Sequence, residues 1–178
     1  MIGLYLIGSV IIGALLFFIR KKALTRIFLA IFLILQWILT FHAYNSQHLV
    51  QLEYFMPDSL GVLLLYVLSI IAIPALYHSE IYFAKHPYSP REQGMYYAAM
   101  VTLIASLSAA YLSNHIAITW IFVELTTLSA SALIYHRRNI LTLEGTWKYI
   151  FVCSISITLV LSGYCSYPSP SSRKDLKI

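Results

Sequence analysis

Six apolar runs, each about 18 residues or longer, leave this chain little choice of fold: Ile2 to Ile19, Ile27 to Tyr44, Ser59 to Tyr77, Met95 to Ser113, Ile116 to Tyr135 and Trp147 to Tyr164. At the helical rise each is about 27 to 30 Å long, which is the thickness of a bilayer's hydrocarbon core. The charged residues gather in short clusters between them. The expected fold is all-α: a polytopic transmembrane bundle of about six helices over residues 1–165, then a polar, structureless tail over 166–178. No internal repeat is visible, so the helices form one bundle without soluble domains.

Composition excludes the alternatives. Hydrophobic residues make up 60% of the 178 and charged residues 11%, more apolar surface than a water-soluble fold can hide. A cleaved secretory signal is the obvious reading of the first run. However, no Lys or Arg precedes it and no small-residue cleavage site follows, so it is expected to be a retained helix. Cys153 and Cys165 have no metal-ligand spacing, and neither argues for a disulfide framework. The net charge of +5 comes from connections and the tail, and reads as topology, not nucleic-acid binding.

Lys and Arg fall almost entirely into alternate connections. Arg20, Lys21, Lys22 and Arg26 lie between the first two runs, Lys85 and Arg91 between the third and fourth, Arg137 and Arg138 between the fifth and sixth, with Lys148 on the same side. The other two connections carry none, so the positive-inside rule puts the N-terminus outside. The tail breaks the order: it should lie outside, yet it carries Arg173, Lys174 and Lys177. A natural flexible tail, a missing seventh helix and an abrupt ending to a longer protein all remain open at this point.

Tyr44, Tyr54 and Phe55 near one surface, and Tyr77, Tyr82, Tyr96, Tyr97, Tyr135, Trp147 and Tyr149 near the other, read as interfacial belts. Pro74 is expected to kink the third helix locally. His78, His115 and His136 sit near helix ends and read as interfacial side chains.

Of the seven acidic residues, Glu53, Asp58, Glu80, Glu92, Glu144 and Asp175 lie in connections, at run boundaries or in the tail. Glu124 alone is deep inside a run. An ionisable group there costs several kcal/mol on insertion scales, about 2.5 to 3.5, and is usually kept for an ion pathway or paired with a cation. Trp120, Glu124, Thr127 and Ser131 share one stripe of helix five, and its hydroxyls can hold water beside the acid. The alternative is an acid that only hydrogen-bonds between helices. Lys148 is the natural partner, either reaching inward to Glu124 or snorkelling back to the surface. No nucleophile-and-base pattern, phosphate loop or metal-ligand cluster is present, so no catalytic, cofactor or metal site is expected on this chain.

From Ile118 the chain reads ITWIFVELTTLSASALIYHRRNILTLEGTWKYIFVCSISITLVLSG. This resembles the antiporter-like membrane subunits shared by respiratory complex I, Mrp antiporters and membrane-bound hydrogenases, with the strongest likeness to hydrogenase-4 component F. The likeness rests on a W-x-x-x-E-x-T-T-L core within Trp120 to Leu133, and on L-E-x-T-W-K-Y-x-x-x-C-S from Leu143 to Ser154. Upstream, PDSLGVLLLYVLSIIAIPALYHSEIY from Pro57 is similar to the family's third helix. The likeness covers roughly two thirds of the chain and is strong from Tyr97 to Gly163.

The resemblance implies a subunit of a redox-driven proton- or cation-translocating complex in the cell's inner (plasma) membrane, with redox cofactors and catalysis on partner subunits. Its partners would be other membrane subunits, a peripheral redox arm and the lipid bilayer. It implies that Glu124 is a central proton-pathway group and that Lys148 is the lysine of the motif opening helix six. Family members have about fourteen helices, including a lysine on the seventh, whereas the likeness here stops near Gly163 and the text becomes YCSYPSPSSRKDLKI. The expectation is an N-terminal portion of such a subunit that does not pump by itself. A non-transporting scaffold or assembly subunit, with Glu124 locking helices together, is the alternative.

Overall fold

A computed structural model describes residues 2–19, 22–46, 54–85, 89–135 and 140–166. Six helices follow one another: α1 (Ile2–Phe18), α2 (Lys22–Asn45), α3 (Ser59–Lys85), α4 (Pro90–Leu112), α5 (Ile116–Ile134) and α6 (Ile140–Ser166). The expected all-helical bundle is present, with no β-strand among the described residues. Five helices are long and apolar enough to cross a membrane, and α1 is shorter at 17 residues. The tail beyond Ser166, together with Arg20, Lys21, Glu53, His136, Arg137 and Arg138, lies outside the described residues.

Helix ends on the uncharged side fall within two residues of the apolar runs. On the basic side the helices run on: α2 begins five residues before Ile27, α3 continues past Tyr77 to Lys85, α4 begins at Pro90 and α6 at Ile140. Hydropathy marks the part of a helix that lipid can hold, not the helix itself. A polar turn projecting beyond the bilayer still satisfies its backbone internally. The start of α4 shows how such an extension is fixed. Ser89 Oγ accepts from the Glu92 N–H at 3.3 Å, Glu92 Oε2 accepts from the Ser89 N–H at 3.1 Å, and Pro90 opens the helix with a preset φ. On the same side Arg26 Nε donates to Glu80 Oε1 at 3.0 Å, joining α2 to α3. Pro74 lies inside α3, eleven residues from its end, and faces outward.

The core belongs to the first four helices. Buried positions recur at helical spacing on each: Tyr5, Ser9, Ile12 and Leu16 on α1; Phe32, Gln36, Leu39 and Ala43 on α2; Leu65, Ser69, Ala72 and Leu76 on α3; Val101, Ile104, Ser108 and Leu112 on α4. α5 lies on α4, and α6 packs mainly on α5. Exposed Phe151, Val152, Ile155, Leu159 and Val160 make α6 an apolar surface, as a lipid-facing or helix-facing element requires. Two expected belt residues belong to the interior instead. Tyr97 is 4% exposed, and Phe55 is 7% exposed, its ring 6.2 Å from that of Phe122. Phe55 is drawn inward because its segment docks on the α4–α5 turn: Met56 N–H donates to the Leu112 carbonyl at 3.1 Å and Asn114 N–H to the Tyr54 carbonyl at 2.8 Å.

A neutral polar knot sits at the centre of the four-helix core. Tyr5 Oη donates to Gln36 Oε1 at 2.5 Å. Gln36 Nε2 donates to Ser69 Oγ at 3.2 Å and to Ser108 Oγ at 3.0 Å, and the Thr40 and Ser69 hydroxyls are 2.8 Å apart. One side chain thus ties α2 to α1, α3 and α4. Gln36→Leu fits the apolar surroundings but removes the shared partner of three hydroxyl residues. It is expected to cost about 1 to 2 kcal/mol, since interhelical bonds in membranes are weaker than their burial suggests. The unfolding midpoint in a detergent titration measures it, and an unchanged midpoint would show that the knot contributes nothing.

Candidate functional site

Glu124 stands eight residues into α5 and ten from its end, so it is about 12 Å and 15 Å from the two ends of the helix. Its partner comes from α6. Ser154 Oγ donates to Glu124 Oε1 at 2.5 Å, across thirty residues of sequence. Ser154 is also near the middle of its helix, so acid and hydroxyl meet at mid-depth. Glu124 Oε2 is buried and has no hydrogen-bond partner among the described residues, and the same is true of Trp120 Nε1 one turn earlier.

The hydroxyl stripe expected beside the acid is present, but its protons are turned onto its own helix. Thr126 donates to the Val123 carbonyl at 2.6 Å, Thr127 to that of Glu124 at 2.8 Å, Ser129 to that of Leu125 at 2.8 Å and Ser131 to that of Leu128 at 2.7 Å. Such back-bonding satisfies a hydroxyl in lipid and leaves only its lone pairs for a neighbour. Thr158 and Ser156 on α6 do the same, donating to the Ser154 and Val152 carbonyls. Ser154 differs from them in crossing to the acid.

Lys148 is placed elsewhere. Its Nζ donates to Glu144 Oε1 at 2.5 Å, an exposed pair one turn apart on α6. It lies six residues, about 9 Å along the axis, from Ser154, and among the described residues no ion pair joins it to Glu124. Glu144 sits four residues before Lys148, the orientation that favours such a pair. Sequence reasoning also passed over Ser154, although it closes the C-S pair of the quoted motif. Its signal is weak, because most helical serines in a span bond their own backbone.

Between α5 and α6 runs a groove of about 220 Å³, lined by Ile116, Thr119, Trp120 and Val123 on one side and Ile157, Val160 and Leu161 on the other. It begins at the start of α5 and ends at the residue before the acid. Among the described residues no group of His, Cys, Asp and Glu side chains is arranged to hold a metal ion.

No family model and no solved structure matches the chain. Over 115 residues the chain is 26% identical to the "Hydrogenase-4 component F homolog" of Methylacidiphilum infernorum (isolate V4), a match covering 62% of this chain and 24% of that protein. The matched segment therefore represents about a quarter of the relative's length. Together the helices and this similarity describe a membrane protein with five helices long and apolar enough to cross a membrane, similar over part of its length to a hydrogenase-4 component F homolog.

Proposed function

We propose that this chain serves as a membrane subunit, or the N-terminal portion of one, in a redox-driven proton- or cation-translocating complex of the hydrogenase-4 and complex I type. Glu124 is the group that takes up and releases the transported proton. The observation that carries this reading is the state of its carboxyl at mid-helix: one oxygen held by Ser154, the other buried and without a hydrogen-bond partner among the described residues. A protonatable group at that depth is costly, and carrying a proton is the usual reason to keep one. Lys148, tied to Glu144 toward the basic face, is the pathway's positive charge on the adjoining helix. Similarity to a hydrogenase-4 component F homolog supports other membrane subunits and a peripheral redox arm as partners, in the cell's inner membrane, with the redox cofactors held outside this chain.

The Ser154 bond favours one second reading, in which the acid merely ties α6 to α5 in a non-transporting scaffold. Infrared difference spectroscopy of the assembled complex separates the two, with Glu124→Gln used to assign the carboxyl band. A relay's band appears and disappears as redox state or pH is cycled. A band that stays constant under both would leave only the tie.

A further inference from the structure

Another pocket lies where the ends of the first four helices converge on the basic side. It holds about 70 Å³, and its lining includes Ile19 after α1, Arg26 of α2, Glu80 and Phe83 of α3, and Gln93 and Tyr97 of α4. By the measure on which one water needs about 10 to 15 Å³, this is room for several waters or one small polar headgroup. Arg26 is the residue before the apolar run that starts at Ile27, Glu80 is the third after Tyr77, and Tyr97 is the third of the run that starts at Met95. The pocket therefore stands where hydrocarbon gives way to lipid headgroups.

Three of its polar groups have bonding capacity left over. Arg26 donates to Glu80 Oε1 through Nε, and among the described residues neither its two Nη groups nor Glu80 Oε2 has a hydrogen-bond partner. The Tyr97 side chain is buried and its hydroxyl also has no partner there, yet it is not one of the sealed polar atoms, so it opens on the pocket it lines. It lies close enough to feel the charges of both Glu80 and Arg26. The paired N–H edge of a guanidinium suits phosphate oxygens. A carboxylate oxygen beside it suits a cation that can donate, and repels a second anion. Because Arg26 and Glu80 together are neutral, they match a headgroup that carries both charges. Exposed Lys85 and Arg91, next in sequence to the lining residues Ala84 and Pro90, draw phosphate to the rim in general, whereas Glu80 sets the choice.

We propose that this pocket binds the phosphoethanolamine headgroup of a membrane phospholipid. The phosphate takes the Nη edge of Arg26 and the Tyr97 hydroxyl, and the ammonium donates to Glu80 Oε2. The acyl chains lie outside the pocket on apolar surface such as that of Phe17 and Phe18, which are exposed just before Ile19. A choline headgroup carries the same two charges but has no N–H to give Glu80. A phosphoglycerol headgroup sets its phosphate beside the carboxylate with no cation to answer it. The site is independent of the role of Glu124.

Native mass spectrometry of the full chain, released from micelles containing equal amounts of phosphatidylethanolamine, phosphatidylcholine and phosphatidylglycerol, tests this directly. One phosphatidylethanolamine per chain is expected to be held about tenfold more tightly than either competitor, the effect of one hydrogen bond to a charged group. Glu80→Gln should transfer the preference to phosphatidylglycerol, and Tyr97→Phe should weaken retention without changing the order. Equal retention of the three lipids by the unaltered chain, a preference for phosphatidylglycerol, or an order unchanged in Glu80→Gln each overturns the site. Glycerophosphoethanolamine, the same headgroup without chains, should displace the lipid poorly at equal concentration. Full displacement would make the ligand a soluble one and overturn the lipid. If Glu80→Gln does not fold, the order of the three lipids on the unaltered chain and their retention by Tyr97→Phe decide the matter, and retention unchanged in Tyr97→Phe counts against the site.

Discussion

Glu124→Gln in the assembled complex is expected to lower redox-coupled proton pumping by about a hundredfold while α6 stays in place on α5. Glutamine has the same shape, and its carbonyl oxygen accepts from Ser154 as Oε1 does, so the interhelical bond and the level of assembled complex should persist. What disappears is the ability to bind and release a proton, and removing a positioned proton carrier typically costs about 10²- to 10⁴-fold. Pumping is read from acidification of vesicles on addition of reductant, normalised to the amount of subunit present. Unchanged pumping with normal assembly would remove Glu124 from the pathway. Loss of the subunit from the membrane would instead show that the acid's role is structural.

The second large effect is expected at two glycines that let backbones touch. A methyl group built on Gly94 of α4 would lie 2.6 Å from the Leu16 carbonyl oxygen of α1, and one built on Gly61 of α3 would lie closer still to the Tyr111 carbonyl oxygen of α4. In both cases the obstacle is main chain, which cannot rotate away. Small residues at helix crossings exist to allow this approach. Each Gly→Ala change is expected to cost about 1 to 3 kcal/mol through forced separation of the helices. Gly94 and Tyr111 are seventeen residues apart on α4, about 26 Å, so the two penalties should add. Gly145→Ala is the matched control: its methyl meets nothing within 4 Å, and alanine's better helix propensity should stabilise by about 0.5 to 1 kcal/mol. Unfolding midpoints of the three variants check both signs, and equal midpoints for Gly61→Ala and Gly145→Ala would contradict the packing described.

Much of this architecture was legible in the chain because lipid imposes one rule on length and polarity. That rule locates the spans and picks out Glu124 without reference to packing. It is silent on helix ends in water, which is why α2, α3, α4 and α6 extend beyond the apolar runs on the basic side. It is equally silent on partners. Whether a serine bonds its own backbone or crosses to a neighbour depends on the rotation of one helix against another, so Ser154 looked no different from Ser156. Gln36 is an inconspicuous polar residue in an apolar run until four helices bring Tyr5, Ser69 and Ser108 to it. For Lys148 the sequence left two placements open, inward to Glu124 or back to the surface, and its ammonium pairs with the local acid one turn away, Glu144.

The order of helices along the chain gives the Glu124–Ser154 bond a timetable. The ribosome delivers the acid thirty residues before the serine. At about 5 to 20 residues per second, α5 must hold an ionisable side chain in or beside the translocon for roughly two to six seconds before α6 supplies its hydroxyl. During that interval the helix available for α5 to pack on is α4, which in the finished structure is tied to the earlier helices through Gln36. The chain order thus places the buried core ahead of its costliest side chain, so that the surface α5 packs on is synthesised before the acid and the acid before its partner.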